Sequence, residues 1–136
     1  ISKYTPADKE TFLSIQSILD ENIGLVRGQE VPLYSDYLGV AGRVDCVADW
    51  NGRLAVIDFK TSKKPKKKEW ISSYFMQAAA YCVMWEERTG MVAPNIVIVM
   101  DVDHEKPLVF VEHRDNWTDL LHNTIKEYRT RRMFGH

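Results

Sequence analysis

Asp45, Asp58 and Lys60 are the residues of this chain best placed to do chemistry, and counting along the sequence brings them together. Asn51-Gly52 lies between two apolar runs. Asn-Gly is the strongest short hairpin signal, because both central positions of a type I′ turn need positive φ. A two-residue loop pairs Trp50 with Arg53, and counting outward sets Val47 opposite Val56, Asp45 opposite Asp58, and Arg43 opposite Lys60. Alternation then places Asp45, Asp58 and Lys60 on one face and Val44, Cys46, Ile57 and Phe59 on the other. Directly opposed residues have Cβ atoms roughly 4.5 to 5.5 Å apart, and two carboxylates so placed repel. A hard divalent cation would offset that repulsion, since such ions take carboxylate, carbonyl and water oxygens. Lys60 would then point at whatever the metal holds. A solvated lattice of Arg43, Asp45, Lys60 and Asp58, contributing little stability, is the alternative, and the hairpin alone does not separate the two.

The elements that must position these residues are readable from periodicity and punctuation. Thr5 can cap a helix with Pro6 at its first position, and Phe12, Ile15, Leu19 and Ile23 recur at helical spacing until Gly24. A strand is predicted from about Gln29 to Tyr37, ahead of hairpin strands near Val40 to Trp50 and Arg53 to Lys60. Glu69 to Thr89 contains no Gly or Pro and stops at Gly90, the pattern of a long helix closed by glycine. Trp70, Tyr74, Ala78, Tyr81 and Trp85 form its sheet-covering stripe. Asn95 to Val102 and Leu108 to His113 read as strands around a turn at Asp103 to Pro107. From Asp115, the series Trp117, Leu120, Leu121, Ile125 and Tyr128 marks a closing amphipathic helix. The expected class is α/β, with helices on a mixed sheet of about five strands.

Composition narrows the function classes. The 136 residues are 45% hydrophobic, which suits one compact domain. With 18 basic and 19 acidic residues the formal charge is -1, so the surface is not a general polycation and any nucleic-acid binding must be local. Basic residues do gather at Lys63, Lys64, Lys66, Lys67 and Lys68, and again at Arg129, Arg131 and Arg132. Cys46 and Cys82 sit in apolar settings without metal-ligand spacing and read as buried thiols of a reducing, cytosol-like compartment. No signal peptide or stretch long enough to span a membrane is visible.

Taken in order, Gly42-x-x-Asp45, Asp58-x-Lys60 with Thr61 and Ser62, and Gln77-x-x-x-Tyr81 resemble the motifs of the PD-(D/E)XK nuclease superfamily, in particular its RecB-like exonuclease branch. The resemblance covers about Glu30 to Tyr81. It implies a restriction-endonuclease-like core in which Asp45 and Asp58 bind Mg²⁺ or Mn²⁺ and the Phe59 carbonyl adds a ligand. It also implies that Lys60 activates water or stabilises charge, and that Gln77 and Tyr81 border the site. Glu30 is carried as a candidate metal residue. The branch commonly supplies a histidine from an upstream helix, whereas the first histidine here is His104. Either an upstream helical segment provides it, or Glu30 or water fills the position. His104 with Asp101 and Asp103 is a weaker alternative metal group at a strand turn.

Physical chemistry agrees with that implication. A metal on two carboxylates polarises a phosphoryl oxygen and lowers the pKa of bound water. The lysine run leaves the Asp58-Lys60 strand directly, so Lys63, Lys64, Lys66, Lys67 and Lys68 would neutralise phosphates at the rim, with Trp70, Tyr74 or Phe75 as a stacking platform unless these aromatics are core. The expected activity is a metal-dependent DNA exonuclease, sequence-independent and favouring single-stranded or end-containing DNA, in replication, recombination or repair of a phage-like system. A noncatalytic nucleic-acid-binding module of the same fold is the alternative. It is disfavoured because a degenerate domain has no physical need for paired acids that repel. A dimeric site-specific endonuclease is a third reading, and no separate recognition segment is visible for it.

Overall fold

A computed structural model describes residues 9–67 and 71–133. The elements are α1 (Lys9–Asn22), β1 (Ile23–Ser35), β2 (Val40–Trp50), β3 (Arg53–Ser62), α2 (Ser72–Thr89), β4 (Asn95–Val102), β5 (Leu108–His113) and α3 (Asp115–Met133). Their order is the predicted one. The strands form one mixed sheet in the order β1-β2-β3-β4-β5. Only β3 and β4 are parallel, because the crossover between them is α2, whereas the other neighbours are joined by turns.

The hairpin turn follows its sequence signal. Asn51 has φ 50° and Gly52 φ 86°, with Trp50 opposite Arg53 and Val47 opposite Val56. The β2–β3 ladder ends at Cys46 and Ile57, however, one step before the counted Asp45–Asp58 pair and three before Arg43–Lys60. Beyond that point β3 keeps its partner on the other side, with Asp58 to Ser62 continuing along β4 to Val102. The site therefore lies where the sheet parts.

The predicted faces also change there. Cys46, Ala48, Ile57 and Phe59 pack with Ile18 and Leu19 on the α1 side, as alternation requires. Val44 does not join them; it lies with Val47 and Val56 in the core under α2. The same exchange occurs on β1, where Val31 and Leu33 pack into the α2-side core. Between the matched pairs Gln29–Cys46 and Val31–Val44, the rung that would hold Glu30 and Asp45 is missing. Glu30 there has φ 49°, and its carbonyl accepts a 2.9 Å hydrogen bond from Arg43 Nη1. One left-handed residue turns the strand over, so simple period-two alternation fails on both sides of this rung.

Two boundaries differ from expectation. α1 gives way at Asn22, and β1 begins at Ile23 rather than near Gln29, so Ile23 joins Ile18 and Leu19 against the cluster of Cys46, Ala48 and Ile57 from the strand and not from the helix. Asn22 itself closes the helix, its Nδ2 donating to Ile18 O at 2.7 Å. The predicted cap at Thr5 and Pro6, the Phe12 side chain, and Glu69 and Trp70 of the expected second helix lie outside the described residues, and that helix begins at Ser72 after its cap residue Ile71. α2 ends as expected, with Gly90 at φ 75° and its N–H bonded to Glu86 O. Ala78 and Ala79 are fully buried, so α2 can approach the sheet closely. Phe75 stacks on Trp117 at 4.9 Å and meets Phe110 edge-on, which fixes α3 to α2 and β5. Leu120 and Tyr128 of the predicted α3 stripe face outward, while Leu121 is buried.

Candidate active site

A cleft of about 500 Å³ opens where β2 parts from β3, lined by Asp45, Asp58, Phe59, Lys60, Thr61, Tyr74, Gln77 and Tyr81. Five of these are the predicted catalytic residues, gathered from three elements. β3 contributes Asp58 and Lys60 from its central, doubly packed position, and Asp58 is only 5% exposed. Asp45 stands at the strand reversal, and its Oδ2 accepts a 3.0 Å hydrogen bond from Phe59 N. The carboxylate of Asp45 thus takes the place that a β2 carbonyl would hold in a continued ladder. A strand residue's N–H and C=O leave on the same edge, so the Phe59 carbonyl is directed to this side as well.

The electrostatics follow from that burial. Desolvation is the first cause raising the Asp58 pKa, from 3.8 to about 7, and a hydrogen bond shared with Asp45 adds to it, while the charge of Lys60 opposes it. Lys60 Nζ stands 3.0 Å from Asp58 Oδ2. This ion pair faces the cleft, with the Asp58 side chain buried and that of Lys60 partly exposed. Lys60 Nζ also donates to Gln77 Oε1 at 3.2 Å and lies 4.8 Å from the centre of the Tyr74 ring.

Tyr81 closes the back of the cleft. Burial raises its pKa first, and the charge of Asp58 adds to the shift. Its ring lies so close to β2 that a Cβ on Gly42 would stand 2.7 Å from Tyr81 Cε1. That contact explains the glycine of Gly42-x-x-Asp45 by close approach of the ring.

The donor set fits a hard divalent cation. Asp45 and Asp58 line one cleft close enough to share a hydrogen bond, and the Phe59 carbonyl is directed to the same side. Among the described residues no third Asp, Glu, His or Cys joins them in such a group. Glu30 is not among the cleft-lining residues, and His104, at φ 60° in the β4–β5 turn, forms no such group with Asp101 and Asp103. Lys63, Lys64, Lys66 and Lys67 are exposed on the loop leaving β3; Lys68 and Trp70 lie outside the described residues. The cysteines are free and buried, and desolvation raises Cys46 to about 11 and Cys82 to about 12. Sequence reasoning offered Tyr74 only as a core or base-stacking aromatic and passed over its contact with Lys60. Its spacing of three before Gln77 and seven before Tyr81 was the available signal, since it puts all three on one helix face.

Comparisons with known proteins converge on this arrangement. The sequence profile described as the PD-(D/E)XK nuclease superfamily matches residues 5–133. Human mitochondrial genome maintenance exonuclease 1 is 44% identical over 71 residues, which is 50% of this chain and 20% of that protein. The mouse protein of the same name is 49% identical over 53 residues, 39% of this chain and 15% of that protein. The matches thus span about a fifth or less of these relatives. The crystal structure of a protein called "Putative exonuclease" from Eubacterium rectale superimposes with a TM-score of 0.54 over 90% of this chain and 53% of that one, at 14% identity. That likeness is one of fold.

Proposed function

Since this chain belongs to the PD-(D/E)XK nuclease superfamily, we propose that it is a metal-dependent DNA exonuclease that hydrolyses phosphodiester bonds without reading sequence and favours single-stranded or end-containing DNA. The observation that carries the metal-dependent chemistry is the Asp45–Asp58 pair lining one cleft, with Asp58 buried and Lys60 Nζ 3.0 Å from its Oδ2. Mg²⁺ or Mn²⁺ held by Asp45, Asp58 and the Phe59 carbonyl would supply Lewis-acid polarisation and an activated water. Lys60 donates to Gln77 and pairs with Asp58, so it acts as a charged group that meets negative charge developing on the phosphoryl oxygens, rather than as the base. Gln77 orients Lys60. Tyr81 packs on Gly42 and walls off the inner end of the cleft.

Lys63, Lys64, Lys66 and Lys67 at the rim, with Lys68 and Trp70 next in sequence, give the strand a sequence-independent phosphate track. Exonuclease action is supported by the names of the partial relatives, and DNA metabolism such as replication, recombination or repair is the fitting setting.

The test is degradation of end-labelled single- and double-stranded DNA, linear and circular, with Mg²⁺ or Mn²⁺. Cleavage that requires metal, Lys60 and a free end is expected. Full activity of purified Lys60→Ala, or cleavage of circles as fast as linear strands, would overturn the reading.

A further inference from the structure

We infer that Tyr74 is the positioning residue for Lys60, holding its ammonium over the cleft by the face of the ring; this deepens the nuclease reading above and rests on it. A lysine ends in a compact charge on a four-carbon stem with many rotamers, so its placement has to come from neighbours. Lys60 has three of them in the described cleft: Asp58 Oδ2 at 3.0 Å, Gln77 Oε1 at 3.2 Å and the Tyr74 ring at 4.8 Å.

The three are not equivalent. Asp58 Oδ2 is the oxygen that a divalent cation would draw on, so Asp58 cannot serve both cations fully. Gln77 is exposed and offers a single neutral acceptor. The Tyr74 ring is half-buried and lines the cleft, and its negative face is a partner for which a hard metal does not compete. It also partly offsets the repulsion an ammonium meets beside a dication. Tyr74, Gln77 and Tyr81 share one face of α2, so the helix presents the ring, the amide and the cleft wall together.

The experiment compares Tyr74→Phe, Tyr74→Leu and Tyr74→Met with the unmodified chain in two readouts. The first is the proton chemical shift of the Lys60 ε-methylene in isotope-labelled protein, with and without Mg²⁺, assigned by its loss in Lys60→Met. The unmodified chain and Tyr74→Phe are expected to show the same upfield ring-current shift, kept in Mg²⁺; the Leu and Met variants lose it.

The second readout is single-turnover cleavage of a labelled single-stranded oligonucleotide with Mg²⁺. The Phe variant should keep its kcat, while Leu and Met lose roughly two- to thirtyfold in kcat with KM little changed. A folded Leu or Met variant within twofold of normal kcat would overturn the proposal. So would a rise in KM alone, which is the signature of base stacking, or a Phe variant as slow as Leu, which would put the effect in the hydroxyl. If the unmodified chain cleaves nothing, the nuclease reading fails, and the ring-current shift still decides whether the ring holds Lys60.

Discussion

Gly42→Ala is the substitution by which the packing of the cleft can be measured most directly. The Gly42 backbone lies outside the left-handed region, so alanine meets no conformational objection there. Its Cβ would stand 2.7 Å from Tyr81 Cε1, 3.1 Å from the hydroxyl and 3.4 Å from Cζ. The nearest of these contacts must open by roughly 0.7 Å to reach ordinary carbon separation. Tyr81 is 7% exposed and set among the buried residues of α2, so the ring can retreat only by disturbing that core. Overpacking of this kind costs about 1–3 kcal/mol. For a domain of this length that is a fall in Tm of about 4–10 °C. Urea unfolding at fixed pH measures it, and the control is a cycle with Tyr81→Leu. In the leucine background the clash is gone, and Gly42→Ala should be neutral or slightly stabilising, because alanine restricts the unfolded chain. The same cost in both backgrounds would refute the argument. Gly42→Ala should also slow cleavage, since Tyr81 lines the site.

Three further outcomes are expected. Asp58 binds its proton more tightly folded than unfolded, its pKa being raised from 3.8 to about 7, so stability of the metal-free chain should fall as pH rises from about 4 to about 7 and be unaffected by Asp58 outside that window. The part lost is at most about 4 kcal/mol. It is read as the difference in urea unfolding between the unmodified chain and Asp58→Asn across that range; an equal pH slope in both would contradict it. Replacing Lys63, Lys64, Lys66 and Lys67 by Gln should lower the salt dependence of single-strand binding by about 0.7 in slope for each lysine that meets a phosphate. An unchanged slope would remove the loop from the interface. Glu30→Gly should leave the Mn²⁺-induced rise in Tm intact and change stability by less than about 1 kcal/mol, since glycine adopts φ near 49° freely. A lost Mn²⁺ response would make Glu30 a metal residue after all.

The sequence was most informative where local chemistry decides the structure. Asn51-Gly52 set the turn, and counting from it was right as far as Cys46 and Ile57. It failed at Asp45 because nothing in a glutamate at position 30 announces a left-handed backbone. That conformation is held by Arg43 from the neighbouring strand, a contact made only once both strands are in place. The early start of β1 was hidden because Ile23 fits the helical series as well as it fits a strand, and no loop separates the two. Gln77 and Tyr81 could be found by their order after Asp58-x-Lys60. The pairing of Tyr74 with Lys60 was hidden because an aromatic at helical spacing reads as core or as a stacking platform, and the contact depends on how α2 lies across the sheet.

The tight turn between β2 and β3 also governs how much chain entropy the site consumes. Asp45 and Asp58 are 13 residues apart, joined by a hairpin that forms on the scale of microseconds. Bringing Gln77 to Lys60 closes a longer loop across 17 residues, and Gly42 to Tyr81 one of 39. Each doubling of loop length adds only about 0.6 kcal/mol, so the closures differ little in cost. They differ in what they require. The hairpin keeps the two acids near each other in the chain, but Asp45 turns to Asp58 only where β1 and β2 reverse together, and Lys60 meets Gln77 only when α2 docks, so the charges are brought together last, by the fold as a whole.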